Sequence, residues 1–135
     1  MKKISVVVSV YNEELSLNQF YKTTVSVLDK CVWDYELIFV NDGSQDGSIE
    51  LLKGFAKENA KVKVVDFSRN FGHEAAMIAG IDHAQGDGVV CMDADLQHPP
   101  ACIPDIIAKF EDGYEVISMI PSYQQLYDIP RSLGV

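Results

Sequence analysis

Val89-Val90-Cys91-Met92-Asp93-Ala94-Asp95 is an apolar run that ends in two carboxylates, and Leu96-Gln97-His98-Pro99-Pro100 follows it. The run predicts a short buried strand. Alternate residues of a strand face the same side, so Asp93 and Asp95 can converge on one point. Two unit charges about 4 Å apart repel by roughly 4 kcal/mol at an effective dielectric of about 20. A hard divalent cation, Mg2+ or Mn2+, turns that repulsion into attraction, because such ions take oxygen ligands. A cation held in this way commonly holds a phosphate too. The plainer alternative has one acid capping a turn and the other solvated, and the spacing alone does not separate the two.

Outward from this stretch, strand and helix patterns alternate. Ile4-Ser5-Val6-Val7-Val8-Ser9-Val10 is short and β-branched, as a buried parallel strand should be. Tyr35 to Val40, Val62 to Phe67 and Tyr114 to Met119 give further strands. Asn12 or Glu13 opens a helix with Leu17, Phe20, Tyr21, Thr24 and Leu28 on its inner face. Ile49, Leu52, Phe55 and Ala56 mark a second helix. Ala76, Met77, Gly80, Ile81 and Ala84 point inward from a third, and Ile103, Ile106, Ile107 and Phe110 from a fourth. The alternation predicts an α/β domain with a parallel sheet covered by helices on both faces. Ligands of such sheets bind beyond the carboxyl ends of the strands. Four polar clusters fall there: Tyr11-Asn12-Glu13, Asp42-Gly43-Ser44, Ser68-Arg69-Asn70 and Asp93-Ala94-Asp95.

The 135 residues suffice for one compact domain, and a hydrophobic content of 47% argues against disorder. A net charge of -9 argues against a nucleic-acid backbone as partner. It also leaves an anionic ligand dependent on local help, from a metal or from helix N-termini. Cys31, Cys91 and Cys102 are odd in number and form no Cys-x-x-Cys, against a disulfide framework or a zinc site. Cys91 reads as a small core residue, and a reducing cytoplasm is the simplest compartment. No apolar stretch approaches the roughly 20 residues that span a bilayer, and Met1-Lys2-Lys3 leads into no cleavage-site pattern. No repeat or low-complexity tract occurs, and Pro121 to Val135 has no clear periodicity.

Several motifs have competing readings. Asp42-Gly43-Ser44-Gln45-Asp46-Gly47 matches the opening of an EF-hand loop, but the twelfth position is Lys53 rather than a bidentate glutamate and no helix precedes it. Calcium is therefore rejected. Asp42 reads as a ligand acceptor, against the alternative that it satisfies loop donors; Asp46 reads as a helix cap. A dinucleotide fingerprint is missing, since Gly86-Asp87-Gly88 precedes its strand, and no P-loop occurs. Arg69 could pair with a diphosphate or form a surface ion pair. His73 and His98 adjoin the predicted site loops and His83 lies late in a helix; no pair of them has metal-ligand spacing.

Four ordered motifs together resemble the inverting glycosyltransferases of family 2: Val7-Val8-Ser9-Val10-Tyr11-Asn12-Glu13, Val40-Asn41-Asp42-Gly43-Ser44-Gln45-Asp46, Phe67-Ser68-Arg69-Asn70-Phe71-Gly72-His73-Glu74 and Met92-Asp93-Ala94-Asp95-Leu96-Gln97-His98-Pro99-Pro100. Within that family the chain looks like the polyprenyl-phosphate branch, which includes dolichol-phosphate mannosyltransferases and bactoprenol glucosyltransferases of cell-envelope glycan synthesis. The resemblance spans roughly residues 4 to 118 and implies a GT-A fold. It implies that Ser9, Tyr11, Glu13, Asp42, Arg69, Asp93, Ala94 and Asp95 surround a UDP- or GDP-linked sugar. It further implies that Asp93 and Asp95 form the DXD pair, with Gln97 as a third metal ligand, around Mg2+ or Mn2+ on the donor diphosphate. The acceptor implied is a polyprenyl phosphate at the cytoplasmic face of a membrane. Such an acceptor is already anionic, so no general base is assigned.

The sequence departs from the pattern at Ser9, where many members have proline, and after Met119. Residues 1 to 120 read as the nucleotide-sugar-binding part and 121 to 135 as an atypical tail, so the chain is expected to be the donor-binding half of the enzyme. The alternative is a module that binds nucleotide and metal without turnover. A remnant that binds nothing is disfavoured by the four intact motifs.

Overall fold

The computed structural model describes residues 2–94, 100–111, 114–120 and 125–130, the last two stretches as backbone. The elements run β1 (Lys3–Val10), α1 (Glu14–Asp29), β2 (Asp34–Asn41), α2 (Ser48–Glu58), β3 (Val62–Asp66), α3 (His73–His83), β4 (Gly88–Asp93), a 3-10 turn (Pro100–Cys102), α4 (Ile103–Glu111), β5 (Tyr114–Ile120) and β6 (Gln125–Pro130). They form one sheet in the order β3-β2-β1-β4-β5-β6. Strands β1 to β5 pair in parallel and β6 runs antiparallel to β5. The chain thus has the α/β architecture expected, with one addition: a strand inside the stretch expected as an atypical tail. An antiparallel edge strand draws on backbone pairing more than on side-chain pattern, and Gln125 to Pro130 carries little alternation to announce it.

The two sheet faces differ in thickness. Ile4, Val6, Val8 and Val10 of β1 join Leu37 and Phe39 of β2 and Val90 and Met92 of β4 beneath α1, α2 and α4, in the larger core. In α1 the buried residues are Leu17, Phe20, Tyr21, Thr24 and Leu28, and in α4 Ile103, Ile106, Ile107 and Phe110, as the spacing predicts. Each large apolar side chain fully buried here contributes about 1.5–3 kcal/mol.

The opposite face is covered by α3 over a smaller core of Val7, Ile38, Val40, Ala76 and Cys91. Gly80 makes that approach possible: a Cβ there would run into the Val7 side chain. Small residues therefore set the contact stripe, and bulkier ones are displaced to its flanks. Ile81, expected inward, is accordingly 38% exposed. Cys91 is buried as expected, and burial together with the nearby Asp93 carboxylate pushes its thiol up to about 11, which keeps it neutral.

This arrangement fixes where a site can form. From β1 the strand order runs one way to β2 and β3 and the other way to β4, so the reversal lies between β1 and β4. Ser9 of β1 pairs with Asp93 of β4 at that junction. Open α/β sheets bind ligands at such a crevice. No helix among the described residues is long and apolar enough to cross a membrane.

Candidate functional site

Beyond the carboxyl ends of β1 and β2, the two following loops are laced together. The Asn12 N–H donates to Ser44 Oγ (2.9 Å), and Asn12 Oδ1 accepts from the Gln45 N–H (2.8 Å). The Glu13 N–H donates to Ser48 Oγ (3.0 Å), and Glu14 Oε2 accepts from the Gly47 N–H (3.0 Å). Asp46 accepts from the N–H groups of Ser48 (2.9 Å) and Glu14 (3.3 Å), the first residues of α2 and α1. One carboxylate thereby caps two helices. Burial works to raise the Asp46 pKa, but hydrogen bonds from the Ser48 side chain and from these N–H groups hold it below the usual carboxylate range. The loop is thus a structural clasp rather than an EF-hand.

A third loop joins through Asp42, which is buried at 2% exposure. Its carboxylate accepts from the N–H groups of Phe71 (2.8 Å) and Gly72 (3.2 Å) and from Asn70 Nδ2 (3.2 Å). Asn70 Nδ2 also reaches the Asp42 carbonyl (3.1 Å). Gly43 sits at φ +73°, and a Cβ on it would collide with the Arg69–Asn70 backbone. The tight approach of the two loops therefore requires glycine there.

These loops enclose a cavity of about 340 Å³ lined by Ser9, Tyr11, Glu13, Asp42, Asn70, Gly72, His73 and Asp93. Five expected site residues, Ser9, Tyr11, Glu13, Asp42 and Asp93, thus converge from four elements. Arg69 does not line this cavity. It lines a neighbouring one of about 370 Å³ that shares Tyr11 and Asn70, and its guanidinium lies 4.0 Å over the Phe71 ring. Ala94 is buried, lines neither of these cavities, and its carbonyl accepts from Ser16 Oγ (2.9 Å), which ties the end of β4 to the first turn of α1. Asp95 and Gln97 lie outside the described residues, so the expected ligand set is represented by Asp93.

The cavity's chemistry is one-sided. Its lining carries three acids and, among the described residues, no lysine or arginine. His73 Nδ1 stands 3.6 Å from Asp93 Oδ1. Among the described residues, no group of three or more His, Cys, Asp and Glu could hold a metal ion. The donor set does fit the type of ion expected: hard carboxylate and hydroxyl oxygens at the rim suit Mg2+ or Mn2+ and not a soft metal.

Asn70, Gly72, His73 and Ser16 were not singled out as site residues from sequence. A signal for the first two existed. A buried acid at a strand end needs donors, and the loop after β3 is the one with amide and glycine residues to supply them.

Comparisons with known proteins agree with this fold. The family model described as glycosyl transferase family 2 matches residues 5–131. A Bacillus subtilis (strain 168) protein named uncharacterized glycosyltransferase YkcC is 51% identical over 113 residues, which are 84% of this chain and 35% of that protein. A Synechocystis protein also named a glycosyltransferase is 42% identical over 115 residues, 85% of this chain and 36% of that protein. The chain spans about a third of the length of the curated relatives it matches. Among solved structures, Staphylococcus aureus TarS 1-349 in complex with UDP-GlcNAc superposes with a TM-score of 0.66 at 22% identity, over 82% of this chain and 31% of that one. The mannosyltransferase PcManGT from Pyrobaculum calidifontis, in complex with GDP-Man and Mn2+, gives 0.62 at 24% identity over 70% and 28%. At these identities the structural likeness bears on the fold.

Proposed function

The chain belongs to glycosyl transferase family 2, and from that premise we propose that it forms the donor-binding part of a metal-assisted hexosyltransferase. The donor is a UDP- or GDP-linked sugar, the acceptor a polyprenyl phosphate at the cytoplasmic face of a membrane, and the anomeric centre is inverted. The observation that carries this reading is the acid-lined cavity at the β1/β4 junction, without lysine or arginine among its described lining. A diphosphate brought there meets like charge, each close pair costing several kcal/mol at a surface-like dielectric. A divalent cation resolves that conflict, with Asp93, Asp95 and Gln97 as its expected ligands.

In this reading the residues divide the work. Asp93, with Asp95 and Gln97, would hold the ion, which when bound stabilises charge on the departing diphosphate. Asp42 holds the 70–72 loop in place through its hydrogen bonds and so shapes the wall facing Ser9 and Tyr11. Tyr11 is 45% exposed beside both cavities, suited to cover a base or ribose. Arg69 stands in the adjoining cavity, where the distal part of the nucleotide would lie. An acceptor phosphate is already ionised and needs no base from the chain.

A second reading, a nucleotide-binding module without turnover, is favoured by one observation: the described cavity is built wholly from residues 9 to 93. Calorimetry with UDP-glucose, GDP-mannose, UDP and GDP, with and without Mn2+, tests what both readings share. Metal-dependent binding of at least one of them is expected; equal heats with and without the ion would refute the site. Radiolabelled sugar transfer to a polyprenyl phosphate then separates the two readings.

A further inference from the structure

Resting on the metal-assisted reading above, we propose that His73 is a positioning residue for Asp93, holding its carboxylate in the orientation that receives the divalent cation. The placement follows from two independent features of the fold. Ser9, Cys91 and Asp93 lie on the face of the sheet that α3 covers, since Asp93 is two residues beyond the α3-facing Cys91. His73 is the first residue of α3 and stands on the same helical stripe as Ala76 and Gly80, which seat the helix on that face.

The seating of α3 is rigid where it matters. Gly80 brings the helix so close that a Cβ would strike Val7, and the N-terminal end is held by Asp42 through the Gly72 N–H. His73 is therefore delivered to Asp93 by backbone constraints at both ends of its helix. Its Nδ1 lies 3.6 Å from Asp93 Oδ1, within ion-pair range and longer than a hydrogen bond. The His73 side chain is 57% exposed and that of Asp93 22%, so the ring has room to close the gap. With the proton on Nδ1, the imidazole donates to Oδ1 and fixes the carboxylate plane. Carboxylates that ligate metals are themselves commonly oriented by such outer partners, whose loss costs about 10–100-fold in metal affinity.

The test titrates Mn2+ into the 135-residue chain in the presence of UDP and, separately, GDP. It compares wild type, His73→Ala and His73→Asn by calorimetry and by the electron paramagnetic resonance spectrum of bound Mn2+. His73→Ala is expected to weaken Mn2+ binding about tenfold or more and to alter the spectrum. Nucleotide binding without Mn2+ should stay the same, and the melting temperature should move by no more than about 2 °C, as for an exposed position. His73→Asn, whose amide N–H falls near the place of Nδ1, is expected to recover most of the affinity and the wild-type spectrum. Unchanged Mn2+ affinity in His73→Ala overturns the proposal. So does a loss that is equal with and without metal, or one that asparagine does not repair. Wild type that binds neither nucleotide in an Mn2+-dependent way overturns the functional reading itself, and this inference with it.

Discussion

The two ends of the α3-covered sheet face both carry acids, and they handle the charge in opposite ways. At the amino end, Glu36 is buried at 1% exposure and accepts from Ser5 Oγ (2.5 Å), Lys63 Nζ (2.6 Å) and the Gln85 N–H (2.6 Å). Ser5 Oγ in turn accepts from the Gly86 N–H (2.8 Å). At the carboxyl end, about 13 Å away along β1, Glu13, Asp42 and Asp93 surround an open cavity with no lysine or arginine among its described lining. Val7, Ile38, Val40 and Cys91 fill the space between. An acid whose countercharge comes from the chain belongs to the fold. At the other end the described lining holds no lysine or arginine, a setting in which the proposed cation would supply the countercharge.

Two substitutions would break that contrast if it is wrong. Glu36→Ala leaves the half-exposed Lys63 without its partner and Ser5 Oγ and the Gln85 N–H without their acceptor, and each buried polar group left unsatisfied costs about 1–3 kcal/mol. For a chain of this size, a fall in melting temperature of roughly 10 °C is expected by calorimetric scanning. Mn2+-dependent diphosphate binding by the folded protein should be unaltered. Loss of that binding at a temperature where the variant is still folded would mean that the two ends are coupled through the sheet.

Asp93→Asn should do the reverse. It removes one acid from the cluster and one anionic ligand from the expected metal set. Mn2+-dependent binding of UDP or GDP should weaken about 100-fold, or about 2.7 kcal/mol. The melting temperature should hold or rise slightly, because like charges have been thinned. Equal weakening in the absence of metal would show that Asp93 serves the nucleotide directly.

The same contrast explains what could be read from sequence. The strands, the inner faces of α1 and α4 and the edge of the sheet that bears the site were legible, because each rests on a local period or on a rule of parallel sheets. Ile81 was misplaced because the contact stripe of α3 is set by the close approach at Gly80, which no periodicity reports. β6 escaped because its pairing is made by backbone. Among site residues, Ser9, Tyr11, Glu13, Asp42 and Asp93 converge as their positions at strand ends imply. Arg69, expected near the donor, lines the adjoining cavity, with its guanidinium over the Phe71 ring. His73 could not be assigned from sequence, since its role depends on where α3 starts relative to the tip of β4. The network around Glu36 also went unseen, as it joins four segments far apart in the chain.

That network offers the mildest way to sharpen the comparison, through pH. Burial tends to raise the Glu36 pKa, but hydrogen bonds from Lys63, Ser5 and the Gln85 N–H, together with the Lys63 charge, hold it below its usual value. The unfolded chain has an ordinary glutamate titrating near about 4.3. Between the folded and the unfolded value, the unfolded state binds more protons, so stability rises with pH there. The contribution is fully present above the unfolded value and is lost as pH falls through the folded one. Asp46, also lowered, acts in the same direction. Urea unfolding of wild type and Glu36→Gln across the acid range isolates the Glu36 share. The wild type should be the more stable by about 1–2 kcal/mol at neutral pH, as for a charged hydrogen-bonded group replaced by a neutral one. The two curves should draw together below the unfolded value. A gap that stays constant down to the lowest pH at which both chains fold would mean that Glu36 acts through its shape and not its charge, and the contrast between the two ends of the sheet would then rest on the carboxyl end alone.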